Sequence, residues 1–146
     1  MMARKRLLLA LAVTAVVLAG IGFVVWRELQ GNVVRACVAS VHQSVISLKD
    51  HERFLPDPVG AGWRALGDDQ SDRLVSEASR AGSLDCRERA SNGLPVDPWG
   101  RHFRVAVRRE QGDKSLRFMV WSPGRDGRDG TSDDLISPPG VEVPAK

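Results

Sequence analysis

The sequence is poor in side chains that hold soft or borderline metals: its 146 residues include two cysteines and three histidines. None of them falls within WSPGRDGRDGTSDDLI, residues 121–136, where Asp126, Asp129, Asp133 and Asp134 crowd together. That absence argues against zinc in the acidic stretch. No glutamate closes it, and Arg128 and Gly130 stand where an EF-hand repeats its acids, so it is not an EF-hand. The chain also lacks a nucleophile elbow, a zinc-ligand helix and a phosphate-cradling glycine loop. His42 and His51 do not share a helical face at ligand spacing. Without a catalytic constellation, the chain is read as a non-enzyme.

A basic excess is missing everywhere but the extreme N-terminus. Removing Arg4, Lys5 and Arg6 from the 21 basic residues leaves 18, equal to the 18 acidic ones. The pI near 9.3 is therefore no footprint of nucleic-acid binding. It marks topology, because the basic flank 1–6 precedes LLLALAVTAVVLAGIGFVVW, residues 7–26, which carries no charge. A helix of that length spans roughly 30 Å, the thickness of a bilayer's hydrocarbon. The expected arrangement is a single-pass anchor at 7–26, N-terminus cytoplasmic, with 27–136 as a domain outside the cytoplasmic membrane. A cleaved signal peptide is the competing reading. No A-x-A site and no lipobox cysteine follow the run, and the run exceeds the usual signal core of about 7–15 residues. Trp26 at its outer edge suits the membrane interface.

Beyond the anchor, Val34, Cys37, Val38, Val41, Val45 and Leu48 recur at three- and four-residue steps, one stripe of an amphipathic helix. The simplest picture is one helix from about Leu7 to Phe54, stopped by Pro56 and Pro58. The loop 56–67 offers Trp63 and Leu66 as core anchors. A short helix capped by Asp68 or Asp69 runs to about Arg80 and ends at Gly82. Residues 83–96 are ambiguous. HFRVAVRR (102–109) and SLRFMVW (115–121) alternate apolar and polar positions, predicting an antiparallel hairpin with Phe103, Val105 and Val107 on one face. Residues 137–146, rich in proline, are expected to form a flexible tail. Cys37 and Cys86 permit one disulfide outside the cytoplasm; the other reading is two small buried apolar side chains.

Crowded carboxylates repel one another unless something offsets the charge. A hard divalent cation such as calcium does so, taking oxygens from carboxylates, carbonyls and water, and glycines let the backbone turn its carbonyls inward. The alternative is a solvated acidic turn balanced by Arg125 and Arg128.

LPVDPWGRHFRV (94–105), the hairpin, and SPGRDGRDGTSDDLI (122–136) together resemble the C-terminal domain of the major pseudopilin of bacterial type II secretion. The resemblance is close over about 92–136 and in outline over the helix. It implies an α+β, pilin-like fold, with a long N-terminal helix packed on a small antiparallel sheet that closes on a calcium loop. It implies Asp126, Asp133 and Asp134 as calcium ligands, with backbone carbonyls of Pro123 and Arg128 completing the shell, and leaves Asp129 without a role. It makes Asp97, Pro98, Trp99 and Gly100 a structural turn with Trp99 in the core. The expected partners are the lipid bilayer and secretion-system or pseudopilin proteins. The chain departs from the family at its start. The basic leader runs straight into Leu7, without the glycine, phenylalanine and fifth-position glutamate that a prepilin peptidase motif requires. Gly22–Phe23 lies at the far end of the apolar run, with Arg27 fifth and Glu28 sixth. The implied function is a calcium-stabilised pseudopilin-like assembly protein on a permanent anchor. The alternative is a membrane-tethered periplasmic calcium-binding module unrelated to secretion.

Overall fold

In a computed structural model, residues 2–48, 51–55, 59–82, 84, 86–110 and 115–144 are described, without the side chains of 2–13, 27, 51 and 52. The chain is α+β. Its elements are α1 (Met2–Ser47), a 3-10 helix (His51–Phe54), β1 (Arg64–Ala65), α2 (Asp68–Ala81), β2 (Arg104–Arg109), β3 (Leu116–Ser122) and β4 (Leu135–Ser137). It divides into two units, Met1–Val33 and Val34–Lys146.

In the first unit, every described residue from Thr14 to Trp26 is exposed, including Leu18, Ile21, Phe23 and Val24. Phe23 and Trp26, three residues apart, bring their rings to 6.5 Å. Among the described residues no helix is long and apolar enough to cross a membrane. The expected span begins at Leu7, and the side chains of 7–13 lie outside those described.

The second unit is built on the helical stripe. Val34, Cys37, Val38, Val41 and Val45 are buried and Leu48 packs against them. They form one cluster with Phe103, Val105, Val107, Phe118 and Val120, the inward face of the hairpin. Each such side chain contributes about 1.5–3 kcal/mol on burial. The sheet is antiparallel throughout, in the order β1-β2-β3-β4. In β2–β3, Val105 faces Val120 and Val107 faces Phe118, the register that puts both apolar sets on one side. The other side is buried too. Ala106, Met119 and Trp121 form a second cluster with Trp63, Ala65, Ile136, Val141 and Val143 around it.

Two side-chain links fasten α1 within this unit. Cys37 and Cys86 form a disulfide with their Cα atoms 4.8 Å apart. His42 donates from Nε2 to the Phe118 carbonyl at 3.0 Å, a pure acceptor, which leaves Nδ1 to accept the Ser137 hydroxyl, also at 3.0 Å. Burial pushes the His42 pKa down, partly opposed by the Phe118 bond.

Several expectations are corrected. α1 ends at Ser47 rather than near Phe54. There the Ser47 hydroxyl bonds back to the Gln43 carbonyl at 2.9 Å, and the Leu48 N–H reaches the Val45 carbonyl at 3.3 Å, an i−3 contact at the end of the α-ladder. Pro56 and Pro58, the expected stops, lie outside the described residues. α2 is capped by Gly67, not by an aspartate. The Gly67 N–H donates to Gln70 Oε1 at 3.2 Å, and Asp68 and Asp69 sit in the first turn, where the helix dipole favours anions. Trp63 belongs to the rim of the second cluster and carries Arg108 4.7 Å above its ring; Leu66 is the buried anchor. Residues Ser137 to Val143, expected to be loose, lie against the second face through Val141 and Val143, because Trp121 and Met119 offer apolar surface there.

Candidate functional site

The site grows from a buried carboxylate. Asp97 is 0 % exposed. It starts a four-residue turn closed by Gly100 N–H donating to its carbonyl at 2.9 Å, and Gly100 takes φ +74°, a conformation that favours glycine. Asp97 Oδ1 accepts the N–H groups of Trp99 (3.0 Å) and Arg101 (2.8 Å), and Oδ2 accepts the Ser122 hydroxyl at 2.6 Å. Burial pushes the Asp97 pKa up; these bonds, Ser122's first, and the more distant charge of Arg101 oppose the rise. The turn expected at Asp97, Pro98, Trp99 and Gly100 is present, with one correction. Trp99 is 37 % exposed rather than in the core. Asp97 turns its carboxylate inward and satisfies the turn from beneath, and Trp99 stays at the surface of the bend.

Ser122 carries this anchor into the acidic loop, since its Oγ also accepts the Gly124 N–H at 3.2 Å. Gly124 has φ +64°, and a Cβ there would lie 2.5 Å from both the Asp133 carbonyl and its Oδ2. The loop thus folds back on itself where only glycine fits. Asp133 Oδ2 then accepts the Asp126 N–H at 3.1 Å, Asp126 Oδ1 the Arg128 N–H at 2.8 Å, and Asp134 Oδ2 the Gly130 N–H at 2.7 Å.

Thr131 stands at the centre. Its Oγ1 lies 2.6 Å from Asp133 Oδ1, 3.4 Å from Asp126 Oδ1 and 3.3 Å from the Arg128 carbonyl. One hydroxyl has one proton, and the shortest contact takes it. Three acceptor oxygens therefore converge on one small group, and they come from Asp126, Asp133 and Arg128, all named in the sequence reading. The Thr131 hydroxyl, then the Asp126 N–H, hold the Asp133 pKa down. Asp134 is different. Its Oδ1 is buried with no hydrogen-bond partner among the described residues. Burial pushes its pKa up, the backbone N–H groups of Gly130 and Thr131 oppose this, and the charges of Asp129 and Asp133 add to the rise. Among the described residues no three His, Cys, Asp or Glu side chains form a group placed to share one ion.

Asp129 turns away from the other acids. Its Oδ1 accepts the Trp121 indole N–H at 2.9 Å and lies 3.6 Å from Arg104 Nε. The loop's own arginines do not balance its aspartates. Arg125 and Arg128 are exposed, and among the described residues neither forms an ion pair. Sequence reasoning missed Ser122, Thr131 and the task of Asp129. The available signal was the pair of hydroxyl residues flanking the glycine–aspartate run, which can donate to carboxylates that have few other donors. Of the histidines, His42 serves the core, His102 Nδ1 pairs with Asp72 at 2.9 Å, and the side chain of His51 lies outside the described residues. Comparison of the chain with protein-family models, with curated proteins and with solved structures finds no match.

Proposed function

We propose that the chain is a non-enzymatic, pseudopilin-like assembly protein of a bacterial cell envelope, stabilised by calcium and held by a permanent N-terminal anchor. The observation that carries the calcium reading is the oxygen cluster of the loop. Asp126, Asp133 and the Arg128 carbonyl converge on Thr131, and Asp134 Oδ1 is buried without a hydrogen-bond partner among the described residues. All these donors are oxygens, the set a hard cation takes. A cation bound there would supply charge compensation only, tying the closing loop to β4. Asp126, Asp133 and Asp134 would hold it, with the Pro123 and Arg128 carbonyls as further donors. The pseudopilin-like reading rests on the two motifs at 94–105 and 122–136 and on the fold, a long helix whose second half packs on an antiparallel sheet. The anchor is supported by the uncharged run 7–26 and by the exposed apolar side chains from Val16 to Trp26, which need a lipid or protein environment. The disulfide fits an oxidising compartment such as the periplasm.

The test is a thermal melt of the full chain in detergent micelles, with EGTA and with millimolar calcium. Binding to the folded state raises stability by RT ln(1 + [L]/Kd). We expect an upward shift with calcium, lost in Asp126→Ala. An identical melt in EGTA and calcium overturns the calcium reading. The module unrelated to secretion is separated by deletion in the host, where intact secretion favours it and a secretion defect favours the assembly protein.

A further inference from the structure

β4 ends at Ser137, and the chain then runs across the second face of the sheet. Val141 and Val143 pack against the cluster of Ala106, Met119 and Trp121, while Glu142 between them is exposed, the alternation of an extended segment. Among the described residues, none from Pro138 to Pro144 takes part in a hydrogen bond. Pro138, Pro139 and Pro144 have no N–H to give. The strap is therefore held by its valines and by no ladder, and a segment so attached opens without unfolding the rest. Trp121 lies in the cluster that the strap covers and also reaches the acidic loop. It faces Ile136 across the β3–β4 ladder, and its indole N–H donates to Asp129 Oδ1 at 2.9 Å. Trp121 is 1 % exposed, so Asp129 supplies an acceptor that water does not. Arg104, opposite Trp121 on β2, brings Nε to 3.6 Å from the same oxygen. Asp126, Asp133 and Asp134 bond within the loop, whereas Asp129 reaches the sheet.

We infer that residues 138–144 form a lid on the second face of the sheet, and that Asp129 is its positioning residue, holding the Trp121 indole in the orientation on which Val141 and Val143 seat. A buried indole N–H that loses its acceptor is unsatisfied, and it gains by turning toward water. A ring that turns no longer presents the surface on which the valines pack. The strap yields first, because no hydrogen bond among the described residues holds it, while the β2–β3 ladder and the face under α1 stay closed. The lid thus answers to the acidic loop, and whatever withdraws Asp129 opens it. The inference does not depend on whether the aspartates hold a cation.

The test uses the full chain in detergent micelles with EGTA and a glutamate-specific endoproteinase. The enzyme must draw the residues on both sides of Glu142 into its cleft, so it cuts there when the strap is lifted. Release of the fragment 143–146, followed by mass spectrometry, tracks the open population. Cleavage after Glu77, inside α2, reports unfolding of the domain. Cleavage after Glu142 is expected to be about fivefold faster or more in Asp129→Ala, the lower end of what an unmade buried hydrogen bond costs, with cleavage after Glu77 unchanged. Asp129→Asn keeps an acceptor oxygen for the indole and loses the charge that faces Arg104, and it should return the wild-type rate. Should Asp129→Ala lose its near-ultraviolet circular dichroism, Asp129→Leu, which keeps the branched shape without an acceptor, is read in its place. An unchanged rate at Glu142 overturns the inference, as does a parallel rise at Glu77, which marks general destabilisation. So does an Asp129→Asn rate equal to that of Asp129→Ala, which assigns the effect to charge rather than to the indole.

Discussion

Ser122 donates its hydroxyl to Asp97 across 2.6 Å, inside a region where both residues are 0 % exposed. This contact joins the two motifs of the sequence, the 97–100 turn and the acidic loop, although 25 residues separate them. Ser122→Ala leaves a buried carboxylate with one donor fewer, which costs about 1–3 kcal/mol. We expect the melting temperature to fall by several degrees, and the loss to shrink when Asp97→Asn is added, since the carboxylate no longer needs that proton. A urea double-mutant cycle measures the coupling; additive losses would show that the contact contributes nothing of its own.

His42 gives the fold a pH dependence of known sign. Its pKa in the folded state lies below the ordinary value because burial disfavours the imidazolium. Between the folded pKa and about 6.5 the unfolded chain binds the proton more readily, so stability is full above about 6.5 and falls as pH drops below it. His42→Gln keeps a donor for the Phe118 carbonyl and does not titrate. Urea midpoints from pH 7.5 to 5.5 should therefore decline more steeply in the wild type than in His42→Gln. Parallel curves would remove His42 from the account.

The disulfide closes a loop with a sequence separation of 49 and fastens the segment before the 97–100 turn to α1. Cross-linking a loop of about 50 residues contributes roughly 4 kcal/mol in chain-entropy terms. The double variant Cys37→Ala, Cys86→Ala should lose stability of that order and remain folded, because Val34, Val38, Val41 and Val45 still pack on the sheet. A loss under about 1 kcal/mol would mean that the unfolded chain is already compact there.

The parts legible in the sequence were those with a strong period. The stripe from Val34 to Leu48 and the alternation of Phe103, Val105 and Val107 both came through, because burial on one face repeats at 3.6 or 2 residues. What failed had no period. Ser47 ends α1 through a side-chain bond that competes with the ladder, and such competition depends on geometry rather than residue type. The role of Val141 and Val143 was hidden because the second face of the sheet reads as polar in β2, where Arg104 and Arg108 alternate with Ala106. Met119 and Trp121 complete that face only after the strands pair. In the site, Asp126 and Asp133 were legible as a charge cluster. Thr131, which draws them together, was not, since one hydroxyl in a polar loop carries no pattern of its own.

Gly124 should be intolerant of any side chain. Its φ of +64° already disfavours other residues by about 1–2 kcal/mol, and the added Cβ would press on the Asp133 backbone and carboxylate at 2.5 Å. The Asp133 backbone oxygen cannot move without moving the loop. Gly124→Ala should lower the melting temperature and abolish any calcium-dependent shift together. Gly130→Ala, with φ +83° and nothing within 4 Å of its Cβ, should show the conformational cost alone. Equal effects at both positions would show that the close approach at Asp133 is unimportant.

Asp134 should reverse sign with the metal. Without a cation its buried Oδ1 has no hydrogen-bond partner among the described residues, and Asp129 and Asp133 repel its charge. Its raised folded pKa means that the folded state holds the proton more tightly, so the contribution of Asp134 to stability declines as pH rises from about 3.8 through that raised value. Asp134→Asn removes the charge and still offers an oxygen to the Gly130 N–H. In EGTA at neutral pH the variant should therefore melt at or above the wild type. In millimolar calcium the order should invert, because the cation then compensates the carboxylate and finds a weaker ligand in the amide. Melts of both proteins in both solutions decide it. A wild type that is the more stable in EGTA as well would show that Asp134 is already satisfied without metal, and the buried oxygen would no longer point to a cation.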